Sequence, residues 1–147
     1  MRAVFPGSFD PATQGHLDVA RRAAGLFDEV VMCVLTNPEK TGRLLLSERL
    51  ALLADMTGDL ANVTVDSSPG RLLVDYCRGA GIGVVVRGTR TPGDLEHELP
   101  MARMNRHLSG IETVFVPAGP AHAYISSTLI AATARSRRTG PAVVPSP

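Results

Sequence analysis

Apolar residues along this chain fall into two alternating textures. Short continuous runs occupy Arg2–Pro6, Glu29–Leu35, Asn62–Val65, Gly83–Val86 and Thr113–Val116, the length and character of buried strands. Between and after them lie longer stretches of helical period at Gly15–Phe27, Ser47–Gly58, Gly70–Gly81, Gly93–Leu108 and Ser126–Arg137. Leu17, Ala20, Ala24 and Phe27 share one face of the first, and Leu50, Leu53 and Ala54 one face of the second. Ser47 is placed to cap the second helix. Gly25, Gly58, Gly79 and Gly81 stand near helix ends, where a positive φ is often needed. Pro100 interrupts the fourth helical stretch and predicts a kink or a split there.

Strand–helix units with nearly continuous apolar strands predict an α/β fold. The expected architecture is a single domain with a five-stranded parallel sheet and helices on both faces. The pattern supports this over residues 1–137, with a proline-rich, aperiodic tail over residues 138–147. Ligands of such sheets collect outside the carboxyl ends of the strands, at the point where the strand order reverses.

Composition narrows the partners. A formal net charge of +1, with 20% charged and 44% hydrophobic residues, argues against bulk binding to nucleic acid or to a membrane surface. No apolar run approaches the roughly 20 residues a membrane span requires. The start of the chain enters a strand without a signal-like segment, so a cytoplasmic protein is expected. Cys33 falls in a strand run and Cys77 in a helix run, neither at metal spacing, which predicts buried, reduced thiols. The 15 basic residues comprise arginines and one lysine, Lys40. An ammonium in an arginine-rich chain is a candidate for a specific role, because the two cations differ in shape, hydration and reach.

Candidate chemistry concentrates at the expected ligand edge. The first strand leads through Pro6-Gly7-Ser8-Phe9-Asp10-Pro11 into Thr13-Gln14-Gly15-His16, a glycine loop running into a helix start. That arrangement presents backbone N–H groups and a positive helix end to an anion. A bland turn capped by Asp10 would explain the first half alone; His16 at the helix start favours the anion site. Lys40 follows the second strand, and Arg87 and Arg90 bracket Gly88-Thr89 after the fourth. Ser126-Ser127-Thr128 opens the last helix, where serines are either caps or phosphate ligands. Two anion-binding helix starts suggest a nucleoside triphosphate held from both sides. His97, His107 and His122 read as solvent-facing or capping residues, and Glu96 and Glu98 as a solvated helix face. No arrangement provides a nucleophile or a metal cage, which points to phosphoryl-type transfer by positioning and electrostatics.

In order along the chain, these motifs resemble the nucleotidylyltransferase superfamily, with its Rossmann-like fold. Asn37-Pro38-Glu39-Lys40, Arg87-Gly88-Thr89-Arg90 and Met104-Asn105-Arg106-His107-Leu108 narrow the resemblance to the bacterial phosphopantetheine adenylyltransferases. The resemblance implies that ATP and 4′-phosphopantetheine give dephospho-coenzyme A and pyrophosphate, with Mg2+ carried mainly by ATP phosphates and water. It implies that His16 contacts the α-phosphate, and that Ser8, Lys40 and Arg87 hold the attacking phosphate. Leu73 would line the pantetheine arm. Arg90, Ser126, Ser127 and Thr128 would hold the departing phosphates. Phe9, Gly88, Thr89, Glu98, His122, Tyr124 and Ile125 would complete the ATP pocket, with Glu98 on the ribose side and Ser8 shared. A homohexamer is implied as well. Departures from the family pattern are Thr128 for a third serine, Ala131 and Ala132 where many relatives carry charge, Pro100 near Glu98, and the short tail. Nicotinamide mononucleotide adenylyltransferases and cytidylyltransferases share the glycine–histidine start. They do not account for Lys40 together with Met104–Leu108. A non-catalytic nucleotide-binding module would need neither His16 at the α-phosphate nor a second anion site.

Overall fold

The computed structural model describes residues 1–37 and 42–117. Within them the elements alternate as the sequence predicts. The strands are β1 (Arg2–Gly7), β2 (Glu29–Val34), β3 (Val63–Ser67), β4 (Val84–Thr89) and β5 (Glu112–Pro117). The helices are α1 (Gln14–Ala24), α2 (Leu46–Met56), α3 (Leu73–Ala80) and α4 (Pro92–Ser109). The helix expected over Ser126–Arg137 and the tail over residues 138–147 lie outside the described residues. Among the described residues no helix is long and apolar enough to cross a membrane.

All strand pairs are parallel, in the order β3-β2-β1-β4-β5. Alternate residues of each strand feed opposite cores, as a period of two requires. Ala3, Phe5, Val30, Met32, Val84 and Val86 face α1 and α2. Val4, Val31, Cys33 and Val85 face Val74, Tyr76 and Cys77 of α3. The central strands are therefore apolar on both faces, which is why they read as continuous runs. Burying each such valine is worth about 1.5–3 kcal/mol.

The order of the strands fixes where a ligand can enter. The chain moves outward from β1 through β2 to β3, then returns to place β4 on the other flank of β1. The switch point lies between β1 and β4. The β1–β2 ladder runs as far as Gly7↔Val34, but the β1–β4 ladder covers only Ala3↔Val84 and Val4↔Val85. The carboxyl ends of β1 and β4 thus flank a crevice with no backbone ladder across it.

Several local expectations are corrected. β4 continues to Thr89, so Arg87, Gly88 and Thr89 form its last residues rather than a following turn. Pairing with β5 through Thr89↔Pro117 holds them extended. Ser47 lies inside α2, whose N-terminus is closed by Glu48 accepting the Leu45 N–H at 3.2 Å. Of the four glycines expected at positive φ, only Gly81 adopts it, at φ 67°; Gly25 caps α1 at φ −77°. Pro100 does not split its helix: α4 is one element of 18 residues. Its ring removes one backbone hydrogen bond at an exposed position, where the freed carbonyl is open to solvent and the loss is tolerated.

Candidate active site

The first wall of the crevice is the loop from β1 into α1. Thr13 is the N-cap of α1, and its hydroxyl accepts the backbone N–H of His16 at 3.4 Å. In return, Nδ1 of His16 accepts the backbone N–H of Thr13 at 2.9 Å. This reciprocal cap has a chemical consequence. With Nδ1 acting as an acceptor, the neutral imidazole carries its proton on Nε2, which makes Nε2–H a donor. Burial pushes the His16 pKa below its ordinary 6.5, and the charges of Arg90 and Arg87 push it the same way. The ring is therefore a neutral hydrogen-bond donor near pH 7. It stands against the ring of Phe9, edge to face, at 5.0 Å between centroids.

Phe9 is buried and has φ 45°, a left-handed backbone conformation that a bulky residue rarely adopts. The strain turns the Phe9 ring inward beneath His16 and leaves Ser8 exposed beside it. Three hydrogen bonds offset that strain. Arg49 donates to the Ser8 carbonyl at 3.3 Å, and the Asp10 carboxylate accepts the N–H groups of Arg43 at 2.6 Å and Leu44 at 2.7 Å.

The second wall is the end of β4 and the start of α4. Arg87 donates two bonds to the Glu98 carboxylate, at 2.7 and 3.0 Å, and a third across the crevice to the Pro6 carbonyl at 2.6 Å. The bidentate fork is a geometry that only a guanidinium provides. Asp94 accepts the backbone N–H of Arg90 at 2.9 Å and that of Thr91 at 3.2 Å, and Thr91 caps α4. These bonds hold Arg90 at the helix N-terminus, where the macrodipole already favours an anion.

Between the walls lies a cleft of about 900 Å³. Ser8, Phe9, His16, Gly88 and Arg90 line it, together with Arg87 and Glu98. A second cavity of about 560 Å³ opens on the other side of the Arg87–Glu98 pair. Its lining is largely apolar, with Leu73, Val74, Met101, Met104 and Leu108. Pro6, Arg87, His97 and Glu98 border both spaces. A polar cleft rich in anion donors thus adjoins an apolar cavity through one shared wall.

The sequence of this chain matches the cytidylyltransferase-like family model over residues 4–133. It is 50% identical to a phosphopantetheine adenylyltransferase of Pseudarthrobacter chlorophenolicus over 129 residues, spanning 88% of this chain and 78% of that one. This chain belongs to the phosphopantetheine adenylyltransferase family. Two solved structures share its fold at lower identity. One is a lipopolysaccharide core biosynthesis protein of Thermoplasma volcanium, at TM-score 0.58 and 20% identity over 82% of this chain and 98% of that one. The other is a NadR protein in complex with NR, at TM-score 0.56 and 17% identity over 95% of this chain and 43% of that one.

The positions that motif reading assigned to a phosphopantetheine adenylyltransferase divide three ways. Ser8, Phe9, His16, Gly88, Arg90, Arg87 and Glu98 meet at the cleft, and Leu73 lies in the adjoining cavity. Thr89 closes β4 opposite Pro117 and is not among the cleft's lining residues. Lys40, His122, Tyr124, Ile125, Ser126, Ser127 and Thr128 lie outside the described residues. Glu98, read from its helix pattern as a solvated face, is instead the partner of Arg87 and is half-buried. His97, read as an ordinary surface residue, borders both spaces. The Asp94 cap was available in the sequence, since Thr91-Pro92-Gly93-Asp94 has capping-box spacing with proline at the first helical position. The Asp10–Arg49 contact was not, because its residues are 39 positions apart and no local pattern joins them.

Proposed function

We propose that this protein transfers the adenylyl group of ATP to 4′-phosphopantetheine. An oxygen of the acceptor phosphate attacks the α-phosphorus, and the bond between that phosphorus and the α,β-bridging oxygen breaks. Dephospho-coenzyme A and pyrophosphate leave, and no protein nucleophile takes part. The observation that carries this reading is the pairing of a donor-rich cleft with an apolar cavity across Arg87. One space suits a triphosphate and the other the arm of a long, largely uncharged acceptor.

The protein's own groups supply positioning and charge. Nε2–H of His16 donates to the α-phosphate as its charge grows in the transition state. Ser8, Lys40 and Arg87 bind the acceptor phosphate, and Leu73 packs on the pantetheine arm. Arg90, Ser126, Ser127 and Thr128 hold the phosphates that depart. Phe9, Gly88, Thr89, Glu98, His122, Tyr124 and Ile125 shape the nucleotide pocket. Bringing two anions together requires this density of donors.

A magnesium ion accompanying ATP does not find a protein cage among the described residues. No group of three or more suitable ligands is present there. Glu98 is committed to Arg87, and Asp94 to the α4 cap. The ion belongs on phosphate oxygens and water. The reaction is one of the cytoplasm, and the assembly is a homohexamer.

Pyrophosphate release from ATP and Mg2+ by purified protein tests the reading, with and without 4′-phosphopantetheine. Nicotinamide mononucleotide with ATP and glycerol 3-phosphate with CTP serve as parallel acceptors. Release dependent on phosphopantetheine is expected. Release with another acceptor alone, or ATP binding without release, would overturn it.

A further inference from the structure

One buried cation plays no part in the cleft. Arg49, on the first turns of α2, has a side chain only 9% exposed. It donates to the Leu44 carbonyl at 3.1 Å and to the Ser8 carbonyl at 3.3 Å, and lies 3.9 Å from the Asp10 carboxylate. Asp10 in turn accepts the N–H groups of Arg43 and Leu44. A guanidinium is thus shared between two connections that are separate in sequence. One is the loop after β1, which presents Ser8 and supports His16 through Phe9. The other is the segment entering α2, which begins at Gly42, two residues after Lys40 in the chain.

The contacts fall on both sides of the strained residue. Ser8, before Phe9, is held by its carbonyl, and Asp10, after Phe9, by its carboxylate. Neither neighbour can relax without releasing a buried charge, which explains how Phe9 remains at φ 45°. Gly42 packs directly against this arrangement. A Cβ there would stand 2.6 Å from Nη2 of Arg49 and 2.7 Å from Oδ2 of Asp10. Its backbone needs no special dihedral, so the approach of those two side chains is what calls for glycine.

We propose that Asp10 and Arg49 are positioning residues that lock the loop bearing Ser8 and His16 to the segment that enters α2, and so hold those two groups in register at the cleft. Neither residue touches substrate. The lock matters because in-line transfer tolerates little error, and a misplacement of about 1 Å costs on the order of 10²-fold in rate. The proposal rests on the adenylyl-transfer reading for its kinetic consequence but not for its structural one.

Three variants test it: Asp10→Asn, Arg49→Lys and Gly42→Ala. The last leaves every locking group in place and pushes them apart from outside. Rates of phosphopantetheine-dependent pyrophosphate release, ATP dissociation constants and melting temperatures are measured for each. All three should lower kcat by roughly 10- to 100-fold, with ATP affinity changed by less than about threefold. A loss that tracks the melting temperature, or unchanged kcat in folded Gly42→Ala, would overturn the proposal. The His16 imidazole, followed by NMR through a pH titration, reads the lock without turnover. In Gly42→Ala its titration should move back toward 6.5, as the Phe9 support loosens. If the wild type shows no turnover but this shift occurs, the reaction is misassigned and the lock stands. An unmoved titration in Gly42→Ala refutes the lock whatever the reaction.

Discussion

Replacing His16 by alanine removes two separable interactions, each with a typical magnitude. The first is the Nε2–H donor that the proposed mechanism sets against the charge developing on the α-phosphate. Losing one such donor typically lowers kcat by about 10²–10³-fold, or about 2.7–4 kcal/mol. The second is the Nδ1 acceptor for the Thr13 N–H. Losing half of a reciprocal cap costs about 1 kcal/mol of stability, a fall of roughly 2–4 °C in Tm for a chain of this size. Arg90, Arg87 and Gly88 remain in the cleft, so ATP binding should change by less than about threefold. Steady-state pyrophosphate release, calorimetric ATP binding and a melting curve separate the terms. The wild-type pH profile adds an independent check. Burial, Arg90 and Arg87 lower the folded-state pKa of His16 below 6.5, so the neutral donor form persists into mildly acid solution. As pH falls, the unfolded chain takes up this proton first. The stability His16 contributes is therefore whole above 6.5 and declines as pH drops through the folded value. Protonation also ends the Nδ1 acceptor role and breaks the cap. Activity should fall on the acid side with an apparent pKa below 6.5. If ATP affinity falls by the same factor as kcat/KM in His16→Ala, the residue only binds. A wild-type rate that climbs on acidification would mean the imidazolium is the working form, against the tautomer assigned here.

Other consequences are equally open to measurement. Glu98→Gln removes the charge that Arg87 grips, costing on the order of 1–2 kcal/mol of stability, and should raise both KM values several-fold, that for phosphopantetheine through the loosened Arg87 and that for ATP through the nucleotide cleft that Glu98 borders; unchanged KM values in the folded variant would show that the ion pair is structural alone. Burial, with the nearby Asp66, pushes the Cys33 thiol up to about 12, and burial pushes Cys77 up to about 11. At pH 8 a disulfide reagent should therefore label neither within minutes until denaturant is added, and rapid labelling of native protein would contradict their burial. Pro100→Ala restores a backbone bond on the exposed face of α4 and should raise stability by about 1 kcal/mol, read as a higher Tm; a lower Tm would show that the ring's packing against the apolar cavity outweighs the missing bond. Gly81→Ala forces a side chain into the αL cap of α3 at φ 67° and should cost about 1 kcal/mol in a urea titration.

The sequence by itself determined the strands and helices of the described residues and the sheet edge at which the cleft opens. Val84-Val85-Val86 can only be a strand buried on both faces, and the apolar period over Gly15–Phe27 only a helix with one buried side, because periodicity is a local property; the structure centres that side on Val19, Ala20 and Ala23 rather than on Leu17 and Ala24. The motifs around Ser8, His16 and Arg87–Arg90 were likewise readable, since each is a short pattern at the end of a strand. What tertiary structure decided is how those residues are shared. Arg87 and Glu98 look like separate charges in the sequence and become one fork bordering two spaces, because the return of the chain across β1 brings the start of α4 over the open end of β4. Asp10 reads as a turn residue, yet it holds Arg43 and Leu44 and faces Arg49, partners supplied only when β1 and β2 pair in register. Pro100 reads as a break, yet α4 runs through it, since a single lost bond facing water costs less than abandoning the contacts of a whole helix. Local pattern records what each segment can form. Which charge meets which partner depends on contacts between distant segments, and those exist only in the folded chain.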